Sequence, residues 1–442
     1  MPETQPAPVP VPHDAEVVRA AAEAAVWAHP ALLGYRQLRT ELRTGRAGFG
    51  LLDHDGPPAP GDGTRHADPL LVRSSGWLDL RAEPAVVGHP DLPAGRYAGL
   101  QVVDLLARTV AHLGPVGTGT AAADWAVAGP GWDGAVPPHV CGVLRAGSPL
   151  VRVVARTGVP GPGGLAAAVE LQHAYRVRPL HALGGVPPPR PAPSPDWLAW
   201  DEERAWGAGF VEYLALLLRL APPAGPADRA RVARWVRLGV LSGAALPGAG
   251  GREAGHGTDA RTRTLVARGA ALGAAQLADA LRREGQGPDG PGTADGGDTE
   301  PAAALRRAVA AEDELHAPEP DEVRTLRWRL LDGEPLDGHR RYRMTLPTEP
   351  PASLLWSLAA HAEPSGELVA HPARRYALGT GTPDLPRGRD GSLTVTLQHD
   401  EPADALSRAG WLPVPPGRFG LVLRLYGPAR APGWAPVLRV LG

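Results

Sequence analysis

A chain of 442 residues exceeds one ordinary core and, at roughly 150 residues per domain, divides into two or three. An apolar content of 43% is enough to fill such cores and excludes wholesale disorder. The formal net charge of −2 gives no overall electrostatic preference for nucleic acid or anionic membrane, so neither is expected as a partner.

The sequence contains no lysine, asparagine or isoleucine. Their codons are AT-rich, and the abundance of Ala, Gly, Pro and Arg points to a high-GC bacterium. Schiff-base catalysis by lysine, a GxxxxGK[ST] phosphate loop and Asn-linked glycosylation are thereby excluded. All cationic work falls to arginine, which stays charged and forks onto carboxylates and phosphates. The only cysteine, Cys141, leaves no intramolecular disulfide, which suits a reducing, cytoplasmic setting. It lies in VPPHVCGVLRAG, read as a strand with His139 on the same face, and is expected to be a buried structural thiol. The opening MPETQPAPVPVPHDAE lacks a signal-peptide pattern and reads as an extended tail over residues 1–15. The most apolar window, AGFVEYLALLLRLAPP, is too short and too charged to span a bilayer.

In chain order, residues 14–43 read as helix capped by Asp14 and interrupted at Pro30. The pattern from 70 to 157 is β-like, with LLVRSSGWLDL, RYAGLQVVDLL and LVRVVART separated by Gly and Pro turns. A short helix, GLAAAVELQHAY, completes an N-terminal β-rich domain at 16–182. A proline-rich linker follows at 183–196. The 197–284 segment is helical, with apolar residues at helical spacing and Arg and Glu opposite. GQGPDGPGTADGGDTEP gives a flexible linker at 285–300, and a last helix occupies 301–324. The C-terminal domain, 325–442, carries the clearest strands. Leu393, Val395 and Leu397 alternate with threonines, and Leu421, Leu423 and Leu425 alternate with Arg424 and Tyr426 on the opposite face. The expected fold is therefore mainly β with a helical middle, two β-sandwich or jelly-roll-like domains joined by α-helices.

The ordered motifs SGWLDL, GRYAGLQVVD, GPVGTG, GPGWDG, VARTGV and LQHAYRVRPL resemble the family called domain of unknown function 1254. LDGHRRYRMTL, LLWSL, RRYALG, DGSLTVTLQHD, GWLPVPPG, FGLVLRLYGP and APGWAPV resemble its usual companion, domain of unknown function 1214. The resemblance covers most of 16–180 and 325–442 and implies two β-sandwiches with helices between. It also implies an Asn-x-Asp-Thr-x-Tyr pattern before the WLDL strand. Here those positions are Asp68, Leu70, Leu71 and Arg73, so the acid, hydroxyl and phenol are absent. The family's segment before the C-terminal domain is replaced by the GQGPDGPG linker.

No GxSxG elbow is present, and GPVGTGTA and LGTGTP lack a following phosphate-binding helix, so both read as turns. His361, His371 and the His399–Asp400–Glu401 run match no ligand pattern and are expected to be scattered surface residues, with no metal or cofactor. Trp77, Trp132, Trp356 and Trp434 read as packing residues. The informative residues are polar groups inside apolar strands. Asp104 ends LQVVD, and burial requires it to be paired with Arg96, Arg108 or Arg156. It is read either as a register-fixing ion pair or, with Arg96, Tyr97 and Arg156, as the polar floor of a pocket gripping a ligand carboxylate or phosphate. Arg375 and Tyr376, with Trp411, are candidates to line a cleft in the second domain. The expected function is binding of a small molecule, with lost or weak catalysis. The alternatives are a hydrolase, lyase or tailoring enzyme of secondary metabolism, and an oligomeric structural protein, with a homo-oligomer as the possible assembly.

Overall fold

The computed structural model describes residues 14–45, 48–159, 161, 163–223, 225–242, 260–284 and 300–441. Residues 1–13 of the expected tail and 285–299 of the expected linker lie outside the described residues, while Asp14 and Ala15 begin the first helix. The chain runs α1 (Asp14–Thr44), β1 (Asp53–Asp55), β2 (Leu71–Asp79), β3 (Ala85–His89), β4 (Ala98–Asp104), β5 (Thr109–Leu113), β6 (Ala123–Ala128), β7 (Val143–Arg145), β8 (Leu150–Gly158), α2 (Leu165–His173) and β9 (Arg176–Pro179). It continues through α3 (Leu180–Gly184), α4 (Glu202–Trp206), α5 (Phe210–Leu220), α6 (Pro226–Arg237), α7 (Ala260–Glu284) and α8 (Glu300–Asp313). The rest is β10 (Val323–Trp328), a β11 (Leu330–Leu331) and β12 (Glu334–Pro335) ribbon, β13 (Arg341–Leu346), β14 (Ala352–Ala362), β15 (Ala377–Gly379), β16 (Leu393–Gln398), α9 (Ala405–Ala409), β17 (Trp411–Pro413), β18 (Phe419–Pro428) and β19 (Val437–Leu441). Helix accounts for 29% and strand for 28%, so the mainly-β expectation is corrected to near-equal shares. The helical share is carried mainly by α1 and the long α7, both read as helix from the sequence, which build a bundle of their own. No helix among the described residues is long and apolar enough to cross a membrane.

Helix α1 runs unbroken through Pro30, against the interruption read from the sequence. A mid-helix proline removes one hydrogen bond and crowds the preceding turn, at about 3 kcal/mol. Burial of Ala20, Ala24, Ala28, Leu32, Tyr35 and Leu38 against α5, α6 and α7 outweighs that loss. The bundle core continues into Trp77, Leu105, Leu106 and Leu150, so the helices sit on the outer face of the first sandwich.

Each β domain is a pair of facing sheets. The first has strand orders β1-β2-β8-β4-β5 and β7-β6-β3-β9, and the second β10-β18-β14-β15 and β17-β16-β13-β19. Alternation puts Leu100, Val102, Val151, Val153 and Val127 into one core and Leu358, Leu421, Leu423, Val395 and Leu397 into the other.

Beyond the extra edge strand β1, the two orders are the same when β2 to β9 are matched with β10 and β13 to β19. The match extends to single residues. Arg156 on β8 pairs Arg73 and Gly99, and Arg424 on β18 pairs Thr325 and Ser357 in the same geometry. Both domains add their short strand, β7 or β17, parallel to its neighbour. At the ends of β5 and β15, Gly114 and Gly379 each donate a backbone N–H to a threonine, Thr118 at 3.0 Å and Thr382 at 2.9 Å. A side chain at either glycine would strike the neighbouring strand, at Ala98 O or Trp356 O. The molecule is a tandem repeat of one sandwich, and these Gly-rich stretches are matching turns.

A Cβ at either turn forces the strand ends apart. Gly114→Ala and Gly379→Ala should therefore each lower unfolding stability in urea by more than about 1 kcal/mol. A wild-type midpoint for one of them would mean that its turn does not make the close approach described.

Candidate functional site

The alternation that sends leucines and valines into each core sends Arg152 and Arg156 of β8, and Arg424 and Tyr426 of β18, to the outer faces of their sheets. Those faces are not exposed. Arg152, Arg156 and Arg424 are 1%, 6% and 3% accessible. A guanidinium so buried needs acceptors, and each finds a carboxylate. Arg152 forks onto Glu41 of α1 at 2.6 and 2.9 Å and also reaches Ser75. Arg156 and Arg424 share Glu314, just past α8: Arg156 Nη2 donates to Oε1 at 3.0 Å and Arg424 Nη2 to Oε2 at 3.3 Å. Each Nη2 also donates to a backbone carbonyl of the loop that precedes a repeat-matched strand, His316 O before β10 for Arg156 and His66 O before β2 for Arg424. Glu314 thus lies between repeat-related arginines where the two sandwiches meet.

The junction is sealed by Leu71, Tyr97, Val323, Leu355 and Tyr426, with the two tyrosine rings 4.4 Å apart. Asp68 is buried there and accepts from Tyr426 Oη at 2.6 Å, Ser357 Oγ and the Leu70 amide. Tyr97 hydrogen-bonds Glu322, whose carboxyl is pushed up by burial.

Beside this cluster lies a cleft of about 520 Å³ between α8, the α8–β10 segment, the β4–β5 hairpin and β10. Its polar lining includes Gln101, Thr109, Glu314 and His316, with Arg306, Arg307, Arg324 and Arg327 around them. Val103, Leu315, Val323 and Leu326 supply an apolar wall. Burial opposes the charge on Glu314, but Arg424, Arg156 and Arg327 outweigh it and hold the carboxyl at about 2. Burial and the nearby arginines keep His316 neutral, well below the usual imidazole range, and take His112 on β5 to about 4. A general base works best with a pKa near ambient pH. Glu314 and His112 lie far below that, so the arrangement suits holding an anion better than moving a proton.

The residues singled out from sequence do not form one constellation. Arg156 and Tyr97 lie at the junction. Asp104 is occupied by its own turn, accepting from the Leu106 and Arg108 amides at 2.9 Å and from Arg108 Nε at 3.0 Å. Arg96 is half-buried and its Nη2 lies 3.5 Å from Gly158 O. In the second sandwich Arg375 Nη1 donates to the carbonyls of Arg408, Ala409 and Trp411. With Tyr376 and His371 it lines a pocket of about 10 Å³, the size of one water.

Three expectations are corrected. Cys141 is exposed and precedes β7, because VPPHVCG is a proline-constrained loop and only Val143–Arg145 pairs as strand. His361 is fully buried, its Nε2 3.0 Å from Ala67 O, because the 65–70 loop covers it. Residues after Asp313 are not helix. Pro318 and Pro320 in ELHAPEPDE are the signal that ends it, and that signal would have placed Glu314 and His316 in a loop.

Glu314 has a folded pKa below its ordinary 4.5, so its stabilising charge is fully present above pH about 4.5 and is lost as pH falls toward 2. Wild type should exceed Glu314→Gln by roughly 3 kcal/mol at pH 7, and the gap should close through that acid window. Urea unfolding at several pH values measures it. A gap independent of pH would show that the carboxylate's charge is not what binds the segment.

Residues 61–179 match the family described as protein of unknown function, DUF1254, and residues 325–430 match DUF1214. No curated protein sequence matches the chain. Among solved structures, the VPA0106 protein from Vibrio parahaemolyticus is 19% identical with a TM-score of 0.72, over 96% of this chain and all of that one. An uncharacterized protein from Burkholderia cenocepacia is 12% identical with a TM-score of 0.45, over 97% of this chain and 95% of that one. The likeness to the Vibrio protein is one of fold.

Proposed function

Starting from a chain that pairs a DUF1254 with a DUF1214 domain, we propose that it binds a small organic anion in the cleft where the two sandwiches and α8 meet. The ligand has an apolar body and carries a carboxylate or phosphate. The observation that carries this reading is the cleft's lining. At about 520 Å³ it lies within the ordinary size of small-molecule sites. Five arginines, Arg108, Arg306, Arg307, Arg324 and Arg327, line it with Glu314 and His316, and Val103, Leu315, Val323 and Leu326 supply an apolar wall. Guanidinium groups recognise planar carboxylates and phosphates by paired hydrogen bonds, and the apolar wall takes the remainder of the molecule. Binding comes without an attached reaction, since the acid and imidazole groups at the site are not poised to exchange protons near neutral pH.

Titration calorimetry with benzoate, phenyl phosphate and the neutral analogue benzamide tests the reading. The two anions should bind and benzamide should not. Arg324→Ala should weaken the anions roughly five- to tenfold, as expected for one partly exposed charged contact of about 1 kcal/mol. Arg375→Ala, remote in the second sandwich, should leave them unchanged. Equal binding of benzamide, or no binding of either anion to wild type and Glu314→Gln alike, would overturn it.

A further inference from the structure

We propose that Glu314 is a displaceable stand-in for the ligand's anionic group: an incoming carboxylate or phosphate takes its place between Arg156 and Arg424, and residues 314–321 leave the cleft wall as it does. The inference rests on the cleft being an anion site and adds which residues receive the charge and what moves.

The geometry is that of an anion held from two sides. Arg156 and Arg424 occupy the same register position in the two copies of the sandwich, and each gives one N–H to one oxygen of the same carboxylate. Glu314 itself lines the cleft, with 27% of its side chain accessible, whereas the side chains of Arg156 and Arg424 are 7% and 4% accessible. Removing the glutamate side chain would therefore open the cleft onto both arginines.

A second observation points the same way. In the first sandwich Arg156 Nη1 donates to Gln101 Oε1 at 2.9 Å. The register position matching Gln101 in the second sandwich is Ala359, and Arg424 Nη1 is buried with no hydrogen-bond partner among the described residues. The cradle thus keeps a donor that Glu314 does not use. A buried donor without an acceptor is costly. An incoming phosphate or carboxylate would supply the acceptor that this donor lacks.

Charge decides between replacement and addition. Arg156, Arg424 and Arg327 face Glu314, Asp68 and Glu322. A second anion drawn onto Arg156 and Arg424 would stand against the Glu314 carboxylate on the same two donors, whereas exchange for Glu314 keeps one anion per arginine pair. The segment is also built to leave. The backbone N–H groups of Glu314 and Ala317 bond to Ala310 and Glu314 carbonyls, within α8 and its end. Contacts to the first sandwich run through side chains, Gln101 to Ala317 O at 3.2 Å and Arg156 to His316 O. Displacement therefore breaks no strand ladder, and it converts ligand binding into movement at the end of α8.

The test uses the full chain at pH 7, with benzoate and phenyl phosphate titrated into wild type and Glu314→Gln and hydrogen exchange followed across 310–322. The competitor's removal should tighten binding at least tenfold. In wild type, saturating probe should speed exchange of the 314–321 amides. Glu314→Gln binding at wild-type strength or weaker, or added protection of 314–321, would overturn the displacement and leave the cleft as an anion site. Should the variant not fold, the wild-type exchange result decides alone. Absence of binding in both proteins would overturn the cleft reading itself and this inference with it.

Discussion

Two arginines four residues apart on one face of β8 hold the three parts of the molecule in place. Arg152 is gripped by Glu41 from the first helix, and Arg156 by Glu314 just beyond the last helix of the bundle. Buried ion pairs gain little over apolar packing, because desolvation offsets attraction. Breaking one is another matter, since an uncompensated guanidinium then remains where water cannot reach it. Such pairs fix geometry more than they add stability. Here they set the helices against the first sandwich, and through Arg424 they set the second sandwich against both.

That arrangement gains meaning from the repeat. Two copies of one eight-strand topology meet face to face, so every feature of the junction has a counterpart. The differences between counterparts make one arm of the junction a cleft and close the other. Val103 lines the cleft, and its register match in the second sandwich is His361, buried under His66 and the Ala67 carbonyl. Leu70 packs on the turn at Gly379, the match of Gly114. The 65–70 loop therefore fills one arm, whereas the 314–322 segment covers the other with side-chain contacts and leaves space beside it.

Much of this was legible before any coordinates. Strict alternation in GLVLRLYGP put Arg424 and Tyr426 opposite the leucines, and they do face out of the core. The helices of the bundle followed from apolar spacing, and Asp104 from the need of a buried acid for a partner, met by Arg108. What was hidden lies between distant segments. Arg156 is 158 residues from Glu314, and Arg424 is 110. Neither strand carries a mark of that partner. The repeat was hidden for a related reason: a sandwich needs apolar residues at alternate positions and glycine at close turns, and many side chains satisfy both. Its copies share register without sharing enough letters to be seen as a repeat. Pro30 misled because a local rule was read where tertiary burial decides.

The departure from the family pattern at 68–73 follows from the same geometry. Where the resemblance implies an acid and a hydroxyl, this chain has Leu70 and Leu71, and both pack against the tyrosine seal of the junction. Asp68, the remaining polar member, gives its acceptors to Tyr426, Ser357 and the Leu70 amide. A carboxylate so supplied with donors serves as an anchor and has little capacity left for a ligand. The polar pattern on that arm has become part of the plug. The open space lies on the other arm, beside Glu314 and the arginines of the cleft, Arg108, Arg306, Arg307, Arg324 and Arg327.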